Sequence, residues 1–294
     1  MSAELLKGRP VAREIQGKTL GEIAGIRDRF GVLPKLAIVR IGENPSSAAY
    51  ARSIIRAALK ADVETELIDR QSTVSQKVAA DLISQLSARN DIHGIILLQP
   101  LPPQLDAHQL AMLIPPAKDV DGANPWNVGR LAAGDRHAFA PSTPTGGMAI
   151  LDHYGIEISA RDAVVVGRST VVGQPMAGLL LSRDATVTIA HSRTADLGSH
   201  TRRADILVTA AGQPNLVTAD MVKAGAVVVD FGVTVVDEHL VGDVEASSVE
   251  YVASAITPVP GGTGSVTTAI VVRNTVTAAR RQLAKRTNQP TEYF

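Results

Sequence analysis

The feature that most constrains this chain is a repeated alternation of short runs rich in Val, Ile and Leu with longer segments of helical period. Residues 36–41, Leu-Ala-Ile-Val-Arg-Ile, predict a buried strand, and residues 46–60 predict a helix entered through Asn44-Pro45. Residues 92–98 predict a second strand, stopped by Pro100-Leu101-Pro102-Pro103, which can neither extend a sheet nor start a helix there. The pattern resumes at residues 163–166, 186–190, 206–210, 227–231 and 251–256. Runs that are largely continuous in apolar residues, rather than apolar at every second position, are covered on both faces. With helices between them they predict parallel sheets and an α/β fold.

Three turn-rich stretches divide the pattern. Gly122-Ala123-Asn124-Pro125 and residues 140–147 precede the fresh β-α series, and residues 258–265 precede a last helix from about 266 to 285. The expected organisation is two α/β domains flanking a cleft: residues 1–140, completed by a C-terminal helix in 266–294, and residues 141–265. A hydrophobic content of 45% over 294 residues is enough for two cores. Lys plus Arg equals Asp plus Glu at 29 each, so no net field draws in nucleic acid or an anionic membrane. A small polar molecule or another protein is the expected partner. The absence of cysteine excludes disulfides and thiolate zinc sites, and no metal site is expected. The first ten residues contain no apolar stretch of signal-peptide type, and no run is long enough to span a bilayer. These features predict a cytoplasmic protein. The basic tail from Arg280-Arg281 to Phe294 reads as a solvated helix end.

The most specific local signal is the strand 163–166 running into Gly167-Arg168-Ser169-Thr170-Val171-Val172-Gly173, with a helix from Pro175-Met176 to Leu181. Backbone N–H groups and the positive end of a helix dipole then face one point, as a dinucleotide diphosphate requires. The loop is G-x-S-x-x-x-G rather than G-x-G-x-x-G, so an ordinary βα turn remains open as an alternative. An NAD enzyme commonly places Asp or Glu after the next strand to accept from the ribose 2′-hydroxyl. Here that strand ends in His191-Ser192-Arg193-Thr194. Hydroxyls and a cation at this point, with Arg168 in the first loop, suit a 2′-phosphate and favour NADP.

These residues and others resemble the methylenetetrahydrofolate dehydrogenase/cyclohydrolase family over nearly the whole chain. The resemblance is carried by residues 41–47 with Tyr50, Lys118-Asp119-Val120-Asp121-Gly122, residues 127–131 and Pro141-Ser142-Thr143-Pro144. The Gly167-Arg168-Ser169 loop, residues 241–244 and residues 256–262 add to it. It implies a folate-binding catalytic domain beside a Rossmann-type domain, a tetrahydrofolate derivative as substrate, and a homodimer. It further implies that Tyr50 orients the pterin-aminobenzoyl part, that Asp121 hydrogen-bonds the pterin, and that Gly261 and Gly262 floor the folate site. By the same resemblance Arg168 and Ser192 hold the NADP phosphate, with Gly167, Ser169, Gly173 and Arg193 around it, and Val233 lies near the nicotinamide carboxamide.

The chain departs from the family pattern where proton transfer is concerned. The family carries a lysine four residues after the tyrosine and a glutamine before the Pro-Leu-Pro turn; here those positions are Ile54 and Leu98. Gln99 is displaced by one residue along the strand, which turns its side chain to the opposite face. Arg52 and Arg56 lie about 200° around the helix axis from Ile54. Hydride transfer depends on alignment, whereas hydrolysis of the methenyl cation needs water activation. The expectation is NADP-dependent oxidation of 5,10-methylenetetrahydrofolate with weak or absent cyclohydrolase activity. The alternatives are a fully bifunctional enzyme, a dehydrogenase or reductase of another small molecule, and a non-catalytic folate- or NADP-binding protein. Ala123-Asn124-Pro125 and residues 264–267 also differ from the family pattern beside the expected folate site.

Overall fold

The computed structural model describes residues 2–135 and 137–286. The tail beyond Arg286 lies outside the described residues. In chain order, β1 (Glu4–Leu5) and α1 (Gly8–Phe30) come first, followed by β2 (Lys35–Ile41), α2 (Pro45–Lys60), β3 (Glu64–Arg70), α3 (Gln76–Ala88) and β4 (Gly94–Leu97). Helices α4 (Ala107–Met112), α5 (Pro125–Ala132) and α6 (Ser142–His153) lead to β5 (Asp162–Val166), α7 (Gly173–Leu181), β6 (Thr186–Ala190), α8 (Leu197–Thr201) and β7 (Ile206–Thr209). The rest is β8 (Val227–Asp230), β9 (Thr234–Val236), β10 (His239–Val241), α9 (Ala246–Val249), β11 (Ala255–Ile256) and α10 (Thr263–Arg286). Among the described residues, no helix is long and apolar enough to cross a membrane. The chain forms two compact units, 14–142 with the chain from 268 onward, and 1–13 with 143–267.

The first unit holds a parallel three-stranded sheet ordered β3-β2-β4. Its central strand is apolar at every position but Lys35 and Arg40 because each face meets a different cluster. Leu36 and Ile38 join Ile96, Ile54, Leu98 and Val120 on one side. Ala37, Val39 and Ile41 join Ile95, Leu97 and Ile83 on the other. Helix α2 starts where Asn44 accepts hydrogen bonds from the Ser46 and Ser47 amides, with Pro45 at its first position. Ser47, Ala51, Ile54, Ala57 and Ala58 form its buried stripe at spacings of three and four. Tyr50 lies four residues before Ile54 on that side and packs against the same cluster.

The second unit is a six-stranded parallel sheet ordered β1-β11-β8-β7-β5-β6, with the antiparallel hairpin β9-β10 apart from it. The chain runs from β5 out to β6 and returns to place β7 on the other side of β5. The β5–β7 boundary is therefore the topological switch point, outside whose carboxyl ends ligands bind in sheets of this kind. One expectation is corrected here: residues 1–13 were assigned to the first domain, yet β1 pairs in parallel with β11 of the second. A two-residue edge strand has too short a pattern to announce which sheet it joins.

Candidate active site

The switch point opens into a cavity of about 490 Å³ lined by the turns after β5, β6 and β7. Gly167, Arg168, Ser169 and Ser192 line it, as the sequence places them, and His191 and Thr194 join them. Gly173 lies beneath the loop as the first residue of α7. A Cβ on Gly173 would stand 2.5 Å from the Gly167 carbonyl carbon, so only a bare α-carbon lets the helix start come this close to the strand end. Ser169 Oγ accepts from the amides of Val172 at 3.1 Å and Gly173 at 3.3 Å, which shapes the loop from inside. The result is a backbone cradle before a nine-residue helix, matching what a diphosphate needs.

Three residues of the sequence reading fall outside the lining of this cavity: Gly173 beneath the loop, Arg193 and Val233. Arg193 is exposed because residues 191–194 form a tight turn. His191 Nδ1 accepts from the Arg193 amide at 3.1 Å, and the His191 amide donates to Thr194 Oγ1 at 2.8 Å. Val233 is 59% exposed beside the β9-β10 hairpin. Two aspartates that the sequence reading left without a role organise the neighbouring loops. Asp243, fully buried, accepts from the amides of Ala211, Gly212 and Gln213 at 2.6–3.1 Å. Asp230 accepts from the amides of Gly232, Asp243 and Val244 and from Thr209 Oγ1. Gly261 accepts from the Gly8 amide at 2.9 Å, and Gly262 follows it into the start of α10.

In the first unit, Tyr50, Asp121 and Ser142 come together. Asp121 sits in a turn pinned by the buried Asp119, which accepts from the amides of Ala123 and Asn124 and from Asn127 Nδ2. The Ser142 hydroxyl donates to Asp121 Oδ1, and the same hydroxyl acts on the Tyr50 phenol. Burial pushes the Asp121 carboxyl up to about 7, the Ser142 hydrogen bond opposes that rise, and the Asp119 carboxylate adds to it. Burial, then the Asp121 charge, pushes the Tyr50 phenol well above its ordinary value. Ser142 is a site residue the sequence reading did not assign. Ile54 and Leu98 are 0% and 2% exposed, in the same apolar cluster as Ile38, Ile96 and Val120, against which Tyr50 packs. Gln99 is exposed.

A glycine cradle at the switch point of a parallel sheet, followed by a helix, defines a dinucleotide-binding α/β enzyme. Two family models fix which one. Residues 6–121 match the tetrahydrofolate dehydrogenase/cyclohydrolase catalytic domain, and residues 141–283 match the NAD(P)-binding domain of the same family. The chain belongs to the tetrahydrofolate dehydrogenase/cyclohydrolase family and is an oxidoreductase of that kind. The bifunctional protein FolD of Roseiflexus sp. (strain RS-1) is 47% identical over 287 residues, covering 97% of this chain and 99% of that one. The bifunctional protein FolD of Thermomicrobium roseum is 49% identical over 276 residues, covering 93% and 94%. The Trypanosoma brucei methylenetetrahydrofolate dehydrogenase-cyclohydrolase, solved with NADP and an inhibitor, superimposes with a TM-score of 0.92 at 36% identity, covering 96% of this chain and 98% of that one. The nicotinamide cofactor expected from the loop agrees with these matches. The expectation of weak or absent hydrolysis does not draw support from them: the bifunctional names favour the two-activity alternative.

Proposed function

We propose that this chain oxidises 5,10-methylenetetrahydrofolate to the methenyl form with NADP and, as the names of its relatives favour, hydrolyses the methenyl product. The observation that carries the folate assignment is the carboxyl of Asp121, half-buried beside Tyr50 and held near its ionisation point. A carboxylate there accepts two N–H donors from the guanidine-like edge of a pterin, while Tyr50 supplies the ring against which the pterin-aminobenzoyl part is oriented. Gly261 and Gly262 complete the floor of the folate site. In the cofactor cavity the amides of residues 168–171 take the diphosphate, Arg168 and Ser192 take the 2′-phosphate with Arg193 at the rim, and Val233 borders the carboxamide. NADP, when bound, accepts the hydride from the one-carbon bridge. The protein's part in that step is alignment, because the folate nitrogen lone pair supplies the push. The family reading also makes the chain a cytoplasmic homodimer, which sedimentation and fractionation check.

One observation favours a second reading, hydride transfer without efficient hydrolysis. By the resemblance, Ile54 and Leu98 stand where the family carries its lysine and glutamine; both are buried in an apolar cluster, and neither side chain can move a proton. NADP reduction with 5,10-methylenetetrahydrofolate and hydrolysis of 5,10-methenyltetrahydrofolate, measured on one purified sample, decide the matter. Two activities establish the first reading, and oxidation alone establishes the second. No oxidation with this folate refutes the function.

A further inference from the structure

The turn carrying Asp121 is closed from a distance of 21 residues by the start of α6. Gly122 makes this closure possible. Its φ is +69°, and a Cβ there would stand 2.5 Å from both the Ala140 carbonyl carbon and the Pro141 nitrogen. Because that space is free, the Ser142 amide donates to the Asp121 carbonyl oxygen at 3.2 Å while its hydroxyl donates to Oδ1. Two bonds from one residue, one to backbone and one to side chain, leave the carboxyl little rotational freedom. Ser142 is 1% exposed, so its hydroxyl cannot turn to water without breaking the pair.

The titratable groups facing Asp121 are Tyr50 from α2 and Asp119 from its own turn. Neither favours a charged carboxyl: the phenol is neutral, and the Asp119 carboxylate repels. The Ser142 hydroxyl is the group that works the other way, since a donor to the charged form stabilises it. A pterin edge presents N–H donors and so needs an acceptor, not a protonated acid. We propose that Ser142 is a positioning residue whose buried hydroxyl fixes the Asp121 carboxyl and raises the share of it in the ionised state that accepts the pterin. The proposal rests on the folate reading above, but the Ser142–Asp121 link belongs to the free protein and is measurable without substrate.

The test pairs Ser142→Ala with Ser142→Thr, which keeps a hydroxyl, in the full-length protein. The first readout is carboxyl-carbon NMR titration of Asp121 in the free protein, with the signal assigned by Asp121→Asn. The second is the pH profile of KM and kcat for 5,10-methylenetetrahydrofolate. Ser142→Ala moves the Asp121 titration upward by roughly one pH unit, the lower end for a hydrogen bond to a charged group. At pH 7 the KM then rises about fivefold through the lost ionised fraction, with kcat little changed. Ser142→Thr keeps both near wild type. Should Ser142→Ala not fold, Ser142→Cys, a weaker donor of similar size, gives an intermediate shift. An unmoved titration in Ser142→Ala overturns the proposal, as does a Ser142→Thr titration that moves as far. A titration that moves while KM in an active enzyme does not follow overturns the pterin-accepting role. If the wild type does not turn over this folate, the proposed function has failed, and the titration alone still decides the Ser142–Asp121 link.

Discussion

Placing lysine at 54 and glutamine at 98 together has a consequence that neither change has alone. Ile54→Lys removes a fully buried branched side chain, worth about 1.5–3 kcal/mol, and forces an amine into apolar surroundings where it must shed its proton. A buried lysine shifted by three or more pH units costs a further 4 kcal/mol or so at 1.36 kcal/mol per unit. Leu98→Gln loses a comparable burial term and strands an amide, at about 1–3 kcal/mol. In the double variant the amide oxygen can accept from the amine, so the combined loss falls short of the sum by about 1–3 kcal/mol. Urea unfolding of the wild type, both single variants and the double closes the cycle. Methenyl hydrolysis on the same four proteins gives the functional arm, with a gain of ~10²–10⁴-fold expected in the double variant if the second reading holds. Stabilities additive to within about 0.5 kcal/mol, with no gain in hydrolysis, would refute the argument that the two positions form one unit of the site. A wild type that already hydrolyses as fast as the double variant would remove the second reading.

Other expectations follow from the same geometry. Gly173→Ala pushes a methyl against the Gly167 carbonyl, so KM for NADP rises at least tenfold while folate binding is unaffected, read by titration of each ligand separately. The Asp121 carboxyl is raised from 3.8 to about 7, so its neutral form is the one folding prefers. Its contribution to stability is full below about 4 and is lost as pH rises through about 7. Urea midpoints of wild type and Asp121→Asn should diverge in favour of wild type as pH falls across that window. Parallel midpoints would show that the carboxyl titrates normally.

What could be read from the sequence was what local pattern dictates. Residues 36–41 announced β2 because two clusters cover its two faces, and the Gly167-Arg168-Ser169 run announced the cradle because strand, turn and helix are contiguous. Strand β3 escaped notice: Glu-Thr-Glu-Leu-Ile-Asp-Arg lies at the sheet edge with Ile68 as its one buried residue. The run 251–256 shrank to β11 because residues 251–254 form a turn. Arg193 was misplaced relative to the cavity because the hydrogen bonds of His191 and Thr194 turn the chain there, a detail that composition does not encode. Ser142 needed a contact across 21 residues. The available clue was Gly122 followed by Pro141-Ser142, a pairing that acquires meaning only once the two segments are known to touch.

On the proposed reading Tyr50 and Asp121 bind and align the folate, and what separates one activity from two is where a proton goes. Tyr50 is held neutral and is no base near pH 7, and the groups acting on it and on Asp121 among the described residues include no lysine or arginine. If this chain hydrolyses the methenyl product as its relatives' names favour, the side chain with the right proton affinity is Asp121 itself, since a base works best with a pKa near the working pH. Hydrolysis should then show an acid limb near pH 7 that Ser142→Ala displaces upward in step with the NMR titration, and Asp121→Asn should abolish hydrolysis altogether. A limb that ignores Ser142→Ala would assign the proton to bulk water. In that case Ile54 and Leu98 leave hydrolysis without a protein base, and oxidation becomes the one reaction the site accelerates.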